Sequence, residues 1–339
     1  MIDVDTARAA LATEAAPLPP RSLPLAEALG RRLAASPLAD VDLPPADVSA
    51  MDGYAARSGD LRDGTALAVA FEIPAGTVPP PLPPGAAARI FTGAPLPEGA
   101  DTVVEQERAR PAGDRAVLLP PVPPWTNVRR RGELFAAGEA LARPGDRVTP
   151  QRLALLAAGG APTVEVIPRP RVAVLTTGSE LAAAGERPGP GRIRDSNGPL
   201  LDALVRSAGL APPERDHALD ERPVLRAALQ HLLDRADLVI TTGGVSVGDY
   251  DLVPAVVEEL GGATIFHRVA QKPGKPVLAA RLGSTWLIGL PGNPLAVVVG
   301  WRLYALPLLR ALAGDPAPFE EDLLEARLTG PARNRGRRT

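Results

Sequence analysis

The sequence predicts an α/β protein: a doubly wound, mostly parallel sheet domain preceded by a helical domain that carries an inserted β-rich domain. From residue 168 onward, apolar strand-like runs alternate with amphipathic helices, which is typical of a parallel sheet covered by helices on both faces. Before it, helical patterns flank a proline-rich stretch of short β-leaning segments. The length of 339 residues is ample for two or more domains.

The predicted helical domain consists of residues 1–45 and 132–167. The segments TARAALATEA and LAEALGRRLAAS have helical patterns, and in TPQRLALLAAGG we expect Thr149 as the N-cap and Gly159 as the end of the helix. Residues 46–131 are predicted to form the β-rich insertion. The clusters VPPPLPPG and LPPVPPW cannot lie inside helices, and AARIFTG and DTVVEQE between them favour strands.

Residues 168–316 are predicted to form the α/β domain, which leaves residues 317–339, too few for a further domain. Strands are predicted in RVAVLTTG, LVITTGG and TWLIGLPGNP, and helices in GPLLDALVRSAG, RPVLRAALQHLLDRAD and DLVPAVVEELGG. The last apolar segment, PLAVVVGWRLYALPLLRALAG, is interrupted by Arg302, Pro307 and Arg310. We therefore predict a buried helix there and no membrane span.

The composition excludes several classes of protein. With 37 basic and 39 acidic residues the net charge is -2, so the chain lacks the basic excess of a general nucleic-acid binder. Without cysteine it can have no disulfide, thiolate zinc site or cysteine nucleophile. The start, MIDVDTARAA, has acids where a signal peptide carries positive charge, and the three histidines lack metal-ligand spacing. We expect a cytoplasmic protein that binds neither nucleic acid nor membrane.

Polar clusters follow three of the predicted strands. TTGSE places Glu180 just after the first strand, TTGGVSVGDYD places Asp249 and Asp251 after a glycine-rich turn, and LPGNP follows the third. Paired glycines allow the backbone to approach an oxyanion, although each could simply form a tight strand-to-helix turn. Three such turns in one sheet favour a binding site. Carboxylates beside an anion site suit a bridging hard cation, and oxygen ligands favour Mg²⁺ over zinc.

Basic residues supply two candidate oxyanion sites. The only lysines of the chain, Lys272 and Lys275, are each followed by proline in QKPGKP, and this stiff loop could clamp an oxyanion or be a solvated loop. NVRRRGELF places Arg129, Arg130 and Arg131 in succession. Such a run is a solvated loop, a nucleic-acid patch or an oxyanion site, and the charge balance argues against the second.

Seven motifs in this order resemble the MoeA/gephyrin E-domain family, the molybdopterin molybdenumtransferases. They are SAMDGYA, RIFTGAPLPEGAD, NVRRRGE, TTGSEL, TTGGVSVGDYD, QKPGKP and GLPGNP, and the resemblance extends from the N-terminus to about residue 316. TTGGVSVGD alone would be less specific, because related molybdopterin adenylyltransferases and CinA-like proteins share that α/β domain. The resemblance implies that residues 168–316 form an α/β domain of the molybdopterin-binding type.

The resemblance also implies an activity: the Mg²⁺-dependent insertion of molybdate into adenylylated molybdopterin, with release of AMP. It implies a homodimer in which the helical domain is the linker and dimerisation region. The site would lie between the α/β domain of one subunit and the β-rich domain of the other. Contact with the molybdopterin adenylyltransferase is a further implied interaction.

Residue by residue, the resemblance implies three roles for matching positions. Mg²⁺ would be bound by Glu180 and Asp251. The catalytic residues would be Asp52, Glu180, Asp216 and Asp251. The substrate-binding residues would be Thr92, Arg129, Lys272, Lys275, Pro291 and Pro294.

The sequence departs from the family pattern at three places. Leu134 stands where the family has an acid important for activity, and Ser179 stands where Asp is common. Residues 317–339 would be only a remnant of the family's C-terminal β domain. Two alternatives therefore stay open: a degenerate paralogue that binds the pterin nucleotide without inserting metal, and a molybdopterin adenylyltransferase. The whole N-terminal half argues against the second, since that activity does not need it.

Overall fold

The structure is a computed structural model that describes residues 1–62, 66–119, 122–183, 185–245, 252–320 and 329–330. The chain divides into two compact units. One combines Met1–Arg21 with Glu165–Thr339, and the other is Ser22–Val164. We call them the α/β unit and the β-rich unit. The finer division at residues 46, 131, 168 and 316 stays a prediction.

The α/β unit is built on a six-stranded mixed sheet. Its first four strands are parallel, and the last two are antiparallel to their neighbours. The mostly parallel sheet predicted from the sequence is therefore confirmed. In spatial order the strands are Glu214–Ala218, Val172–Thr177, Leu238–Thr242, Thr285–Leu290, Leu278–Leu282 and Ala263–His267. A separate pair, Leu181–Ala182 with Ile193–Arg194, is parallel.

Helices cover both faces of this sheet, as expected for a doubly wound fold. Alternate side chains of one strand face the two cores: Trp286 and Ile288 lie in one cluster of buried side chains, and Leu287 lies in the other. The helices packed in the first cluster are Val4–Glu14, Asn197–Ser207, Pro294–Gly300 and Leu306–Leu312. The helices packed in the second cluster are Arg222–Leu233 and Val253–Glu259.

The last helical segment runs continuously from Pro294 to Leu312, with a π-helical turn at Trp301–Ala305. Among the described residues it is the one helix long and apolar enough to cross a membrane, and 61% of its most apolar window is buried. Trp301, Tyr304 and Leu308 pack into the first core cluster. The prediction of a buried helix is therefore confirmed.

The β-rich unit contains a second six-stranded sheet. Side chains of its Gly53–Ala56 strand alternate between two cores, because Tyr54 and Ala56 belong to one buried cluster and Ala55 to the other. In spatial order its strands are Thr102–Glu105, Gly53–Ala56, Ala86–Ile90, Ala66–Ile73, Arg115–Leu118 and Ala109–Ala112. A two-stranded ladder pairs Val48–Ser49 with Val128–Arg129. The short 3-10 turns are Leu25–Glu27, Ser58–Asp60 and Gln106–Arg108.

One predicted helix of this unit is wrong. LAEALGRRLAAS forms only the turn Leu25–Glu27 and the strand Arg32–Leu33. Gly30 has a positive φ of 78°, and the backbone N–H of Leu33 donates to the carbonyl of Asp146. Pairing with a distant segment thus replaced the local helical hydrogen bonds. Arg32–Leu33 belongs to a three-stranded sheet whose strands, in spatial order, are Arg21–Pro24, Thr163–Ile167 and Arg32–Leu33.

The second helix predicted in this part of the chain is confirmed as Pro150–Ala158. The hydroxyl of Thr149 accepts from the N–H of Arg152 at 3.2 Å, and Gly159 follows the last turn. The N-terminal helix is also confirmed, as Val4–Glu14, with the carboxylate of Asp3 accepting from Thr6. In both helices a side-chain oxygen satisfies one of the unpaired N–H groups of the first turn.

Candidate functional site

In the β-rich unit, Asp52 and Thr92 are joined by two hydrogen bonds. The backbone N–H and the hydroxyl of Thr92 both donate to Oδ1 of Asp52, each at 2.8 Å. These bonds, with a smaller contribution from the charge of Arg89, hold the pKa of the Asp52 carboxyl below its usual value. The structure therefore brings together two of the predicted site residues and keeps Asp52 ionised.

The backbone that carries Asp52 is held by Arg89 and Gln106. Arg89 donates to the carbonyl of Gly53 at 3.0 Å and to Oε1 of Gln106 at 2.8 Å. The N–H of Gln106 donates in turn to the carbonyl of Asp52 at 3.0 Å. Position 53 has no room for a side chain, because a Cβ added to Gly53 would lie 2.1 Å from the carbonyl oxygen of Val104.

A cavity of about 380 Å³ lies beside Thr92. It contains Arg129 and Leu134, which sequence analysis singled out for opposite reasons. Its lining residues are Leu43, Pro44, Val48, Ser49, Thr92, Gly93, Arg129, Glu133 and Leu134. A guanidinium and a threonine hydroxyl at one cavity are the donor types that bind oxyanions.

The three consecutive arginines have different surroundings. The guanidinium of Arg130 stacks on the ring of Trp125 at 3.5 Å and lies 3.3 Å from a carboxylate oxygen of Asp47. Arg131 forms an ion pair with Asp42 at 2.5 Å. Within the described residues, the guanidinium of Arg129 has neither a hydrogen bond nor an ion pair. Of the run, Arg129 is the one available to bind an anion.

The acid next to Leu134 is used by the turn itself. Gly132 has a positive φ of 69°, and the carboxylate of Glu133 accepts from the backbone N–H of Arg130 at 2.8 Å. Glu133 thus closes the turn that follows the arginines. Leu134 is 63% exposed and lines the cavity. An apolar side chain therefore stands where the resemblance places an acid.

In the α/β unit, the candidate residues follow the carboxyl ends of the parallel strands. The strands Val172–Thr177 and Leu238–Thr242 are neighbours, and the chain leaves them toward opposite sides of the sheet. Such a switch point is where ligands bind in open α/β sheets. Glu180 follows the first of these strands and is exposed. Its carboxylate has neither a hydrogen bond nor an ion pair among the described residues.

The turn that carries Glu180 is tied to Asp220. The N–H of Ser179 donates to Oδ2 of Asp220 at 3.0 Å, and the N–H of Asp220 donates to the hydroxyl of Ser179 at 3.2 Å. Sequence analysis missed Asp220, because an acid just before the helix Arg222–Leu233 resembles an ordinary first-turn residue. Ser179, which departs from the family pattern, is half of this reciprocal pair.

Asp216 lies in the exposed edge strand Glu214–Ala218, which pairs with the strand Val172–Thr177 that precedes Glu180. Its carboxylate accepts from the N–H of His217 at 2.8 Å, and it lines a cavity of about 540 Å³ together with Thr176 and Arg215. The structure does not show Asp216 bonded to the Glu180 turn. Its predicted catalytic role stays a prediction, and Asp220 is a further candidate.

The glycine pair after Leu238–Thr242 is required by packing. Gly243 and Gly244 have positive φ values of 90° and 61°. A Cβ added to Gly243 would lie 2.6 Å from the carbonyl oxygen of Thr177 in the next strand. The structure therefore supports the tight-turn interpretation of these glycines. Asp249 and Asp251, which follow them, lie outside the described residues.

The lysine loop and the LPGNP turn lie at the same edge of the sheet. Leu278, just after the lysine loop, pairs with Gly289, just before Pro291. A Cβ added to Gly274 would lie 3.7 Å from the carbonyl oxygen of Ala296 in the helix that begins at Pro294. Lys272 and Lys275 are both exposed, and within the described residues neither forms an ion pair.

Two asparagines fix the LPGNP turn. The amide of Asn197 donates to the carbonyl of Gly292 at 2.8 Å, and Oδ1 of Asn293 accepts from the N–H of Leu295 at 2.9 Å. Asn293 thereby caps the helix whose first residue is Pro294. Pro291 is half-buried beside them. The two predicted prolines thus frame a rigid turn at the strand end.

The described carboxylates and imidazoles do not gather into clusters of metal ligands. In the part of the chain that the structure describes, no group of three or more His, Asp or Glu side chains could hold a metal ion. His217, His231 and His267 each contact a different partner, respectively Thr176, Glu214 and Val245. Glu180 is the described member of the predicted Mg²⁺ pair, and its free carboxylate oxygens are donors that Mg²⁺ accepts.

Comparison with known proteins identifies the family. Residues 2–160 match the family model described as MoeA N-terminal region (domain I and II), and residues 173–311 match the one described as probable molybdopterin binding domain. Molybdopterin molybdenumtransferase 2 of Mycobacterium tuberculosis is 39% identical over 333 residues, covering 94% of this chain and 82% of that protein. Molybdopterin molybdenumtransferase of Nostoc is 38% identical, covering 91% of this chain and 73% of that protein.

A solved structure agrees with these relatives. The molybdopterin biosynthesis MoeA protein of Pyrococcus horikoshii has a TM-score of 0.80 and 31% identity, covering 93% of this chain and 81% of that one. The fold and these matches together define an α/β transferase with a probable molybdopterin binding domain. The chain belongs to the MoeA family of molybdopterin molybdenumtransferases and has a role in molybdenum cofactor biosynthesis.

Proposed function

We propose that this protein inserts molybdate into adenylylated molybdopterin and releases AMP and molybdenum cofactor. The observation that carries the proposal is the set of unpaired cations, Arg129, Lys272 and Lys275, which lack ion pairs within the described residues. Molybdate and the phosphates of the pterin nucleotide are oxyanions, and an exposed cation held on a rigid turn binds them well.

The carboxylates have a different part in this proposal. Asp52 is ionised and fixed by Thr92. It can therefore orient an attacking group or accept a proton from that group. Glu180 is free to bind a cation, and Asp251 is proposed as the second ligand of a Mg²⁺ ion. That ion would supply charge neutralisation at the phosphates. Pro291 and Pro294 would keep the LPGNP turn rigid against the substrate.

The assay for this function measures AMP. The protein is incubated with adenylylated molybdopterin and Mg²⁺, with and without molybdate. We expect AMP to be released only when molybdate is present. We expect this release to stop when Mg²⁺ is chelated. AMP release that does not depend on molybdate would instead indicate simple hydrolysis of the nucleotide and would overturn the proposal.

Leu134 favours a second candidate function, a paralogue that binds the pterin nucleotide and inserts metal poorly. Its signature is tight binding of adenylylated molybdopterin without AMP release. An adenylyltransferase is less well supported, because it gives no role to the unit Ser22–Val164. That activity would appear as formation of the adenylylated pterin from ATP and molybdopterin.

Assembly and location complete the proposal. We propose a cytoplasmic homodimer in which the β-rich unit of one subunit and the α/β unit of the other share a substrate, and which contacts the molybdopterin adenylyltransferase. Arg129 and Glu180 lie in different units, and a closed C₂ dimer is the commonest way to share a site. Sedimentation at micromolar concentration should give a dimer, and a monomer would contradict this arrangement.

A further inference from the structure

A chain of buried polar groups connects the last helix to the lysine loop. Tyr304 is fully buried, and its hydroxyl donates to Oε1 of Gln271, which is 4% exposed. Nε2 of Gln271 donates to the carbonyl of Pro273 at 3.2 Å. Burial raises the pKa of the Tyr304 hydroxyl, so this group stays protonated and remains the donor. Gln271 and Pro273 flank Lys272 in the sequence.

The surroundings of this pair are apolar. Tyr304 belongs to the core cluster that contains Trp301, Ala305 and Leu308, and its ring lies 5.7 Å from the ring of Phe266. Apolar side chains could fill this space without any polar group. A phenol and an amide are tolerated in such a core only because each satisfies the other. The bond therefore ties the helix to the loop and does not serve packing alone.

Tyr304 owes its position to an irregularity of its helix. It lies in the π-helical turn Trp301–Ala305. π-helical turns are rare, occur mostly as single turns inside α-helices, and are frequent at functional sites. Here the irregular turn includes the residue whose hydroxyl reaches Gln271.

The amide of Gln271 fills the inside of the lysine loop. A Cβ added to Gly274 would lie 2.5 Å from Nε2 of Gln271, so the loop packs directly on this side chain. The carbonyl of Lys275 accepts from Val269 at 2.9 Å and from Val277 at 3.1 Å. The backbone of Lys275 is therefore held by two hydrogen bonds, while the side chains of both lysines are exposed.

We propose that Tyr304 is a positioning residue, which acts through Gln271 to fix the loop that presents Lys272 and Lys275 to the oxyanions of the substrate. The inference rests on the proposed function, because it assumes that the two lysines bind the pterin nucleotide or molybdate. Tyr304 touches no substrate in this account. Tyr304 instead determines where the charged groups of Lys272 and Lys275 are held.

Tyr304→Phe tests this inference, because it removes only the hydroxyl. We expect the dissociation constant of adenylylated molybdopterin to rise about 2- to 25-fold, the range for residues that act on a site through other residues. The melting temperature should fall as well, since Oε1 of Gln271 stays buried without a donor. In Tyr304→Phe/Gln271→Met both members of the buried pair are apolar and only the carbonyl of Pro273 loses its donor, so stability should recover in part while affinity stays low.

The lysines provide the control that separates positioning from folding. In Lys272→Ala/Lys275→Ala, adding Tyr304→Phe should weaken binding no further, because the charges that Tyr304 positions are absent. If affinity recovers with stability in Tyr304→Phe/Gln271→Met, or if Tyr304→Phe lowers affinity equally without the lysines, the positioning role is wrong. If Lys272→Ala/Lys275→Ala binds as wild type does, this inference and the lysine part of the proposed function both fail. If that variant loses affinity and Tyr304→Phe does not, only this inference fails.

Discussion

Thr92 donates twice to a single oxygen of Asp52, once from its backbone and once from its hydroxyl, at 2.8 Å each. The two residues lie 40 positions apart and come from different turns of the β-rich unit. Their contact fixes the rotamer of Asp52 and favours its charged form. A carboxylate oriented in this way is prepared for proton transfer or for holding a group at the substrate.

Thr92→Val should raise the pKa of Asp52. That pKa now lies below its ordinary value of 3.8, so the stabilising contribution of Asp52 is present above that value and is lost as pH falls through the lower, folded-state pKa. Valine removes the hydroxyl donor and keeps the N–H, so the pKa should rise part of the way toward 3.8. A carboxyl ¹³C NMR titration measures it.

Thr77→Val is the matched control for that titration. The hydroxyl of Thr77 donates to the carbonyl of Pro74 at 2.7 Å and, among the described residues, has no hydrogen bond to a carboxylate. Its loss should leave the titration of Asp52 unchanged. Equal Asp52 titrations in both variants would show that the hydroxyl of Thr92 does not stabilise the charge.

Arg129→Gln should weaken substrate binding far more than Arg131→Gln does. Both changes remove one positive charge from the same loop, but Arg131 is paired with Asp42 while Arg129 faces the cavity. A charged hydrogen bond contributes about 1.5–3 kcal/mol, which predicts a rise in KM of roughly 10- to 100-fold for Arg129→Gln. Similar KM values for the two variants would indicate a general effect of net charge.

Leu134→Asp should accelerate AMP release. It places a carboxylate in the cavity of Arg129, where the resemblance implies an acid and where Glu133 is occupied by the turn. A positioned acid or base contributes about 10²–10⁴-fold to a rate, so a gain within that range is expected, with little change in pterin binding. Leu134→Asn has similar size without the charge. A gain no larger in Asp than in Asn would mean that the missing carboxylate does not limit this enzyme.

Asp220→Asn should keep the melting temperature and lower Mg²⁺-dependent turnover. Asn retains an oxygen that can accept from Ser179, so the turn before Glu180 stays closed, but the negative charge beside it is lost. Asp216→Asn is the informative comparison, because Asp216 bonds only to the adjacent N–H of His217 among the described residues. A larger loss of turnover in Asp216→Asn would favour Asp216, the residue predicted from the sequence, over Asp220 as the catalytic acid.

The sequence was most informative where periodicity and burial agree. The apolar strands Val172–Thr177 and Leu238–Thr242 are buried throughout, and both were predicted. Glu214–Ala218 was missed because it is an edge strand of mostly exposed polar residues, which has no apolar signal. The helix predicted in LAEALGRRLAAS is wrong because pairing with residues near Asp146 outweighs local propensity.

In the candidate site, too, local features could be predicted from the sequence and long-range contacts could not. Motif residues such as Thr92 and Lys275 could be selected from the sequence, and the structure places them on turns at strand ends. Contacts between distant residues could not be predicted. Two examples are the ion pair of Arg131 with Asp42 and the hydrogen bonds between Ser179 and Asp220. Each joins loops that are distant in the sequence, and a local sequence pattern does not predict which loops meet.

In the proposed reaction, this chain joins molybdenum to the pterin as it releases AMP. The most direct test counts the molybdenum atoms bound to pterin for each AMP released, using the full chain, Mg²⁺, molybdate and adenylylated molybdopterin. We expect one molybdenum atom per AMP, since a single insertion consumes one nucleotide. AMP released without molybdenum in the pterin product, or pterin nucleotide bound without either, would contradict the account.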